Sequence, residues 1–350
     1  MKSLFLSGAR ALALCGLACA IGAGCPASAQ TPNYSQSSQT QAPKPPGAQA
    51  PEAERQAAMK IASAADYTAA LAATAEFVKK FPKSTLRPEI ARRMAAKAAS
   101  APDAATQITN LEGLLTTLKE PEDAETINTV LIDAYIKAEK FDDAFRVGAS
   151  MIEKNPNDLI TTAQLAIVGF DQVKRNNPKY ITQSTQYGTK AIEMIETDKR
   201  PAGLEDAQWN EYKTKWLAQL YQSMGVGYLM TRNPADAKVR LDKSAAINPF
   251  DPITYVYLGS IALDEYTALA QKVKGMLPGK EQDDLLKKTL EKLDQVIDYY
   301  ARAVGLSEGN PPLQKLHDEL LTDLKTYFAF RNKNSTEGLQ QLIDKYKKPQ

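Results

Sequence analysis

Thiol chemistry is almost absent from this chain. Its three cysteines, Cys15, Cys19 and Cys25, all precede the small-residue triplet Ala27-Ser28-Ala29. Lys2 and Arg10 give a positive start, Ala11 to Ala23 an apolar run, and the triplet a cleavage pattern. Together these are the three parts of a secretory signal peptide, so residues 1–29 are expected to be removed, with Gln30 as the new start. Cleavage there would leave no cysteine. Disulfides, thiolate metal sites and a cysteine nucleophile are excluded together. The apolar run is shorter than the roughly 20 residues that span a bilayer, so no transmembrane span is expected in the mature chain.

A second processing pattern overlaps the first. Ala23-Gly24-Cys25 resembles the end of a lipoprotein signal, with Gly22 where a larger aliphatic residue is usual. In that reading Cys25 becomes the first residue and carries a lipid anchor.

Histidine is scarcer still. His317 is the only one, set between Leu316 and Asp318 in a charged segment. Metal sites and catalytic triads need several convergent ligands, so a structural histidine is expected. An excess of one charge is also missing. Loss of Lys2 and Arg10 with the leader brings Lys+Arg down to the 41 of Asp+Glu. A chain near neutrality has no electrostatic drive toward nucleic acid or anionic lipid. Glycine loops give no nucleotide site. Gly275 to Lys280 has one residue too few between its glycines for a phosphate loop and Glu281 where Ser or Thr should hold magnesium. Gly225-Val226-Gly227 lacks a third glycine. Acids are scattered. Glu122-Asp123 and Asp283-Asp284 read as helix-start residues favoured by the macrodipole. No catalytic residue, cofactor or metal site is proposed by the sequence, and an enzyme is not expected.

Residues 30–51 are rich in Gln, Ser, Thr and Pro, with Pro43, Pro45, Pro46 and Gly47 crowded together. Such a composition cannot form a core and reads as a disordered linker. Beyond it a pattern emerges. Counting from Ala218, Tyr221 stands at position 4, Met224 and Gly225 at 7 and 8, Tyr228 at 11, Ala237 at 20 and Pro249 at 32. The same frame from Glu125 gives Leu131, Tyr135, Ala144 and Pro156, and from Pro51 it gives Ala58, Ile61, Ala70 and Pro82. This order resembles the tetratricopeptide (TPR) family, whose unit is a helical hairpin of about 34 residues.

The resemblance implies an all-α fold, a right-handed superhelical solenoid of TPR-like hairpins over residues 52–350. Prolines end helices, and Pro82, Pro121 and Pro156 stand about one hairpin apart. Pro201, Pro249 and Pro311 are spaced more widely, so longer helices are expected in the C-terminal half, with insertions near Asn176 to Tyr180 and Met276 to Gln282. The longest helix is read over about Asp284 to Leu306. Leu286, Leu290, Leu293, Ile297, Tyr300 and Val304 form a coiled-coil-like seam along it. Burial against the adjacent hairpin and Leu313 to Phe330 is favoured over a dimer. A final helix is expected near Thr336 to Tyr346.

TPR proteins are mostly adaptors that hold protein or peptide partners in a groove lined by the first helix of each hairpin. The groove positions here are Gln219, Gln222, Val226 and Leu229, then Ile253, Val256, Ser260 and Leu263. They either meet an extended or helical segment with apolar anchors, helped by Tyr255, Tyr257 and Tyr266, or fill contacts between stacked hairpins. The Lys/Arg/Asn carboxylate clamp of chaperone-binding members is absent, since Thr126, Thr129 and Asp133 stand at the corresponding positions. Asp66-Tyr67, Ala69, Phe77, Phe81-Pro82 and Ser84 form a line similar to that of TPR proteins of the bacterial envelope. The expectation is a non-catalytic exported scaffold for protein–protein interaction in the periplasm or cell envelope. The alternative is a lipid-anchored structural subunit of an envelope or outer-membrane assembly machine.

Overall fold

The computed structural model describes residues 50–201 and 204–348. The leader, Cys25 and residues 30–49 of the linker lie outside them. Among the described residues regular structure is helical throughout, with no strand, and no helix is long and apolar enough to cross a membrane. The helices pair as hairpins and fall into two compact units, Ala29–Leu165 and Ala166–Gln350.

The first unit holds α1 (Glu52–Ala62), α2 (Tyr67–Lys80), α3 (Arg87–Ala99), α4 (Ala104–Thr117), α5 (Pro121–Lys137) and α6 (Phe141–Lys154). The boundary between the units falls within α7 (Leu159–Lys174). Proline sets the ends as its chemistry requires. Pro82 and Pro156 follow α2 and α6, while Pro121 opens α5, where a missing N–H costs nothing. Carboxylates cap the second helices: Asp66 accepts from the Ala69 N–H at 2.8 Å and Asp103 from that of Thr106 at 2.8 Å. Most repeat positions face inward, Ala58 being half-buried. Ala70, Leu131, Tyr135 and Ala144 are all buried. Gly148 lets α6 approach α7 closely, since an added Cβ would lie 2.5 Å from Leu165 Cδ1.

One helix-start acid, in the first turn of α5 as expected, also has a buried partner. Asp123, read as a helix-start residue, is buried and paired with buried Arg87, whose Nε donates to it at 3.1 Å. Arg87 Nη1 also donates to the Pro82 carbonyl at 3.1 Å. A single guanidinium thus joins the chain leaving α2, the start of α3 and the first turn of α5. Helix-dipole attraction is a surface effect worth less than 1 kcal/mol or so, whereas a buried charge must be paired.

The second unit continues with α8 (Ile181–Glu196), α9 (Asp206–Glu211), α10 (Leu217–Met230), α11 (Pro234–Ile247), α12 (Pro252–Lys274), α13 (Lys280–Ser307), α14 (Gln314–Arg331) and α15 (Leu339–Asp344). A π-helical turn over Tyr212–Trp216 joins α9 to α10, and a short 3-10 turn at Pro178–Tyr180 precedes α8. The long helix expected over Asp284 to Leu306 is α13, which begins four residues earlier because Gly279 opens it. The final helix is shorter than the expected Thr336 to Tyr346: Gly338, at φ 84°, precedes it, and Lys345 to Tyr346 form a turn. The seam divides. Leu293, Ile297, Tyr300 and Val304 are buried in the cluster that α13 builds with α12 and α14, while Leu286 and Leu290 are half-buried.

A tyrosine device recurs in both units. Tyr135 of α5 donates to Glu112 of α4 at 2.7 Å, and Tyr221 of α10 donates to Glu196 of α8. In each case the second helix of the hairpin supplies a base. Arg146 of α6 interacts with Tyr135, and Lys243 of α11 lies 4.8 Å above the Tyr221 ring. Each first helix is thereby tied to the helix before it and the helix after it.

Removing one partner of the Arg87–Asp123 pair should leave a buried charge unmatched. Asp123→Ala is expected to lower unfolding free energy by about 3–5 kcal/mol, measured by urea denaturation. A loss below about 1 kcal/mol would contradict the buried pairing. The tyrosines give a second test. Burial holds the Tyr67 phenol at about 12, and burial reinforced by the Glu112 carboxylate does the same for Tyr135. Both are raised above the unfolded value of about 10. Their contribution is therefore complete below pH 10 or so and lost as pH rises through about 12. Absorbance at 295 nm should show a late tyrosine class whose ionisation accompanies unfolding, reduced in Tyr135→Phe.

Candidate partner-binding surface

The eight groove positions split between interior and surface. Val226, Val256, Ser260 and Leu263 are buried, Val226 completely. Gln219, Gln222, Leu229 and Ile253 are half-buried. Gln222 is committed to structure, because its amide donates to Asp251 and, at 2.8 Å, to Thr254 Oγ1. Asp251 caps α12 by accepting from the Ile253 and Thr254 N–H groups, both at 3.2 Å. The amide therefore completes a cap joining α10 to α12. Gln219, Leu229 and Ile253 keep partial exposure on this face, the last two also packing on the core cluster.

The nearby aromatics are also internal. Tyr255, Tyr257 and Tyr266 are all buried. Tyr255 stacks on Tyr299 at 6.4 Å, and the Arg302 guanidinium lies 5.4 Å over its ring. The reason is length: α12 and α13 are the longest helices, and a long antiparallel pair needs large side chains to fill its seam. Gly225 sits where a Cβ would come within 2.7 Å of Leu241 Cγ, so it serves the close crossing of α10 and α11.

In the unit Ala29–Leu165, Thr126 and Thr129 bond back to the carbonyls of Glu122 and Glu125. Asp133, half-buried on α5, accepts from the Gln164 amide of α7. Burial pushes the Asp133 carboxyl up, opposed by the Gln164 hydrogen bond and by the charge of Lys137. Sequence reasoning placed Asp133 at a groove position but had no means to see its amide partner, which comes from 31 residues away.

Two clefts were not foreseen. One, of about 710 Å³, lies between α11 and α13 over a floor of Tyr255 and Leu258. Ala245 and Ala246 leave it open, while Asp242, Asp294 and Asp298 stand at its rim. Each of these acids already has a basic partner: Lys238, Arg331 and Arg302. The other, of about 620 Å³, is an apolar groove between α1 and α3. Alanines on one wall of each, Ala245 and Ala246 in the first and Ala58 and Ala62 in the second, were the available signal.

His317 is half-buried, with Nδ1 3.1 Å from Ser307 Oγ at the end of α13. That hydroxyl also donates to the Ala303 carbonyl at 2.6 Å. The ring is thus built into a helix terminus. Among the described residues no group of three or more His, Cys, Asp or Glu side chains is placed to hold a metal ion.

Asp133 yields a test with a definite sign. Its folded-state pKa is raised, so protonation favours the fold, and the benefit is lost as pH rises through that value. Asp133→Asn keeps the size and a hydrogen bond to Gln164 without the charge. It should melt higher than the parent at pH 7, with the difference shrinking at pH 4 and below. A pH-independent difference would refute the assignment. Among known proteins no family model matches the chain, and no curated protein matches it.

Proposed function

We propose that the chain is a non-catalytic scaffold of TPR-type hairpins, exported to the bacterial periplasm or cell envelope, where it positions protein partners. The observation that carries this reading is the run of helix hairpins, closely packed at glycine and alanine, with open clefts between helices. Gly148 meets Leu165 and Gly225 meets Leu241, while Ala144 and Ala237 have no exposed surface. Close packing at small residues stiffens the hairpins within each unit, and the grooves at helix junctions are then left to bind other chains. The three-part leader supports export. The superhelical arrangement of the hairpins belongs to this proposal and follows from the repeat positions.

A second reading, a lipid-anchored structural subunit of an envelope assembly machine, is favoured by Ala23-Gly24-Cys25 alone. The mass of the mature N-terminus separates the two, since Gln30 is expected for the first and a lipid-modified Cys25 for the second. The scaffold itself is tested by cross-linking the full chain in intact cells and identifying attached peptides by mass spectrometry. A small, reproducible set of envelope proteins is expected. Recovery of the chain alone, or only with cytoplasmic proteins, would count against the proposal.

A further inference from the structure

The helix α15 is held in place by a few side chains. It has six residues, fewer than the roughly 12 at which an isolated helix becomes marginally stable. It therefore keeps its shape only where it is docked, and it docks chiefly on α13. Leu339 and Ile343 are buried, while Leu342 and Tyr346 are half-buried against the same core cluster. Leu339, Ile343 and Tyr346 follow an i, i+4, i+7 spacing, which puts them on one face. Gly305 of α13 gives that face its room: a Cβ there would lie 2.7 Å from the Ile343 carbonyl oxygen and 3.2 Å from the Tyr346 carbonyl carbon. The Tyr346 hydroxyl donates to Asp298, and the Arg302 guanidinium lies 4.5 Å over the Tyr346 ring. Lys347 pairs with Glu308 at 2.9 Å on the surface, where solvent screens the charges.

The connection from α14 does little to fix this segment. Residues 332–338 are all exposed. Backbone bonds there are local: the Asn334 N–H donates to the Ala329 carbonyl at 2.7 Å, that of Ser335 to Asn332 at 3.0 Å and that of Leu339 to Thr336 at 3.1 Å. Lys333, Asn334 and Gly338 take left-handed φ values of 55°, 68° and 84°, and the chain reverses through them. Such a loop keeps its own bonds whether α15 is docked or free. Residues 339–347 can thus leave α13 as one piece without disturbing the hairpins, a local opening of low cost.

The surface that they cover is continuous with an open one. Asp298 and Arg302, the two residues that hold Tyr346, also line the cleft of about 710 Å³ between α11 and α13. From Asp298 to Gly305 is seven residues of α13, about 10 Å at 1.5 Å per residue. Release would lengthen the cleft by that distance and bare Gly305, where another backbone can come close. The structure itself supplies the chemistry of the occupant: a short helical segment with apolar residues at i and i+4 and an aromatic residue at i+7. A partner helix with that pattern can repeat these contacts and, if longer, run on into the cleft.

We infer that residues 339–347 form a releasable strap, masking a docking site on α13 for a partner helix of the same apolar-x3-apolar-x2-aromatic pattern. The inference rests on the scaffold reading and gives it a regulated site. A tethered strap competes at an effective concentration on the order of millimolar, so a ligand added from solution meets an occupied site. The probe is a fluorescein-labelled peptide of residues 336–348, titrated by anisotropy against the full chain. It should bind Ile343→Asp, whose strap cannot bury the new charge, at least 10-fold more tightly than the parent. Adding Gly305→Leu to that chain should abolish binding, and a peptide carrying Tyr346→Ala should bind at least 10-fold more weakly. The parent chain supplies a second measurement that no misfolded variant can spoil. Hydrogen exchange of amides 342–347 should be at least 100-fold faster than that of amides 296–304 in α13. Equal peptide binding by the parent and Ile343→Asp, binding by neither, or exchange of the strap in step with α13 would overturn the inference. In cells Ile343→Asp should increase the cross-links to partner proteins. Unchanged cross-links would remove the docking site and leave the scaffold proposal standing, whereas none from either chain would remove the scaffold proposal while the exchange data still report the strap.

Discussion

Each helix here has one apolar face that it cannot cover alone, and everything else follows from how neighbours cover it. Covering is efficient only where backbones approach closely. Gly148 against Leu165 and Gly225 against Leu241 are such places, since even one methyl group would collide. Where two helices meet at small residues, large ones such as Phe77, Met94 and Tyr221 fill the space on either side. The repeat positions are the residues at which this burial constraint is strictest.

Polar groups then fix the order of the hairpins. Arg87 binds Asp123 and the Pro82 carbonyl, so three successive segments depend on one buried side chain. Tyr135 with Glu112 and Tyr221 with Glu196 tie a first helix to the helix before it. Gln222, Asp251 and Thr254 close the junction of α10 and α12. Apolar burial gives most of the attraction, but it is non-directional. These hydrogen bonds have angles and partners, which suits them to selecting one register among several that would bury similar area.

The same constraint explains where apolar side chains stay exposed. Groove positions in the long-helix region, Val226, Val256 and Leu263, are drawn into the interior because long helices have more seam to fill. The shorter α1 has less, and its outer face keeps Met59 in solvent.

The sequence by itself determined that the fold is helical, and it placed the hairpin boundaries at Pro82, Pro121, Pro156, Pro201, Pro249 and Pro311. Those features are local: ring sterics, capping carboxylates and a period near 3.6 act within a few residues. It also determined that Ala70, Ala144 and Ala237 face inward, because their repeat positions demand small side chains. Tertiary structure alone decided which groove residues stay open. Whether Val226 faces a partner or Leu241 and its neighbours depends on how two distant helices cross, and no short-range pattern encodes that distance. Tertiary structure likewise added a buried partner to the helix-start acid Asp123, since Arg87 lies 36 residues earlier in the chain. It also opened the α1–α3 groove, a gap set by the spacing of two backbones that the sequence records only as a few alanines and methionines.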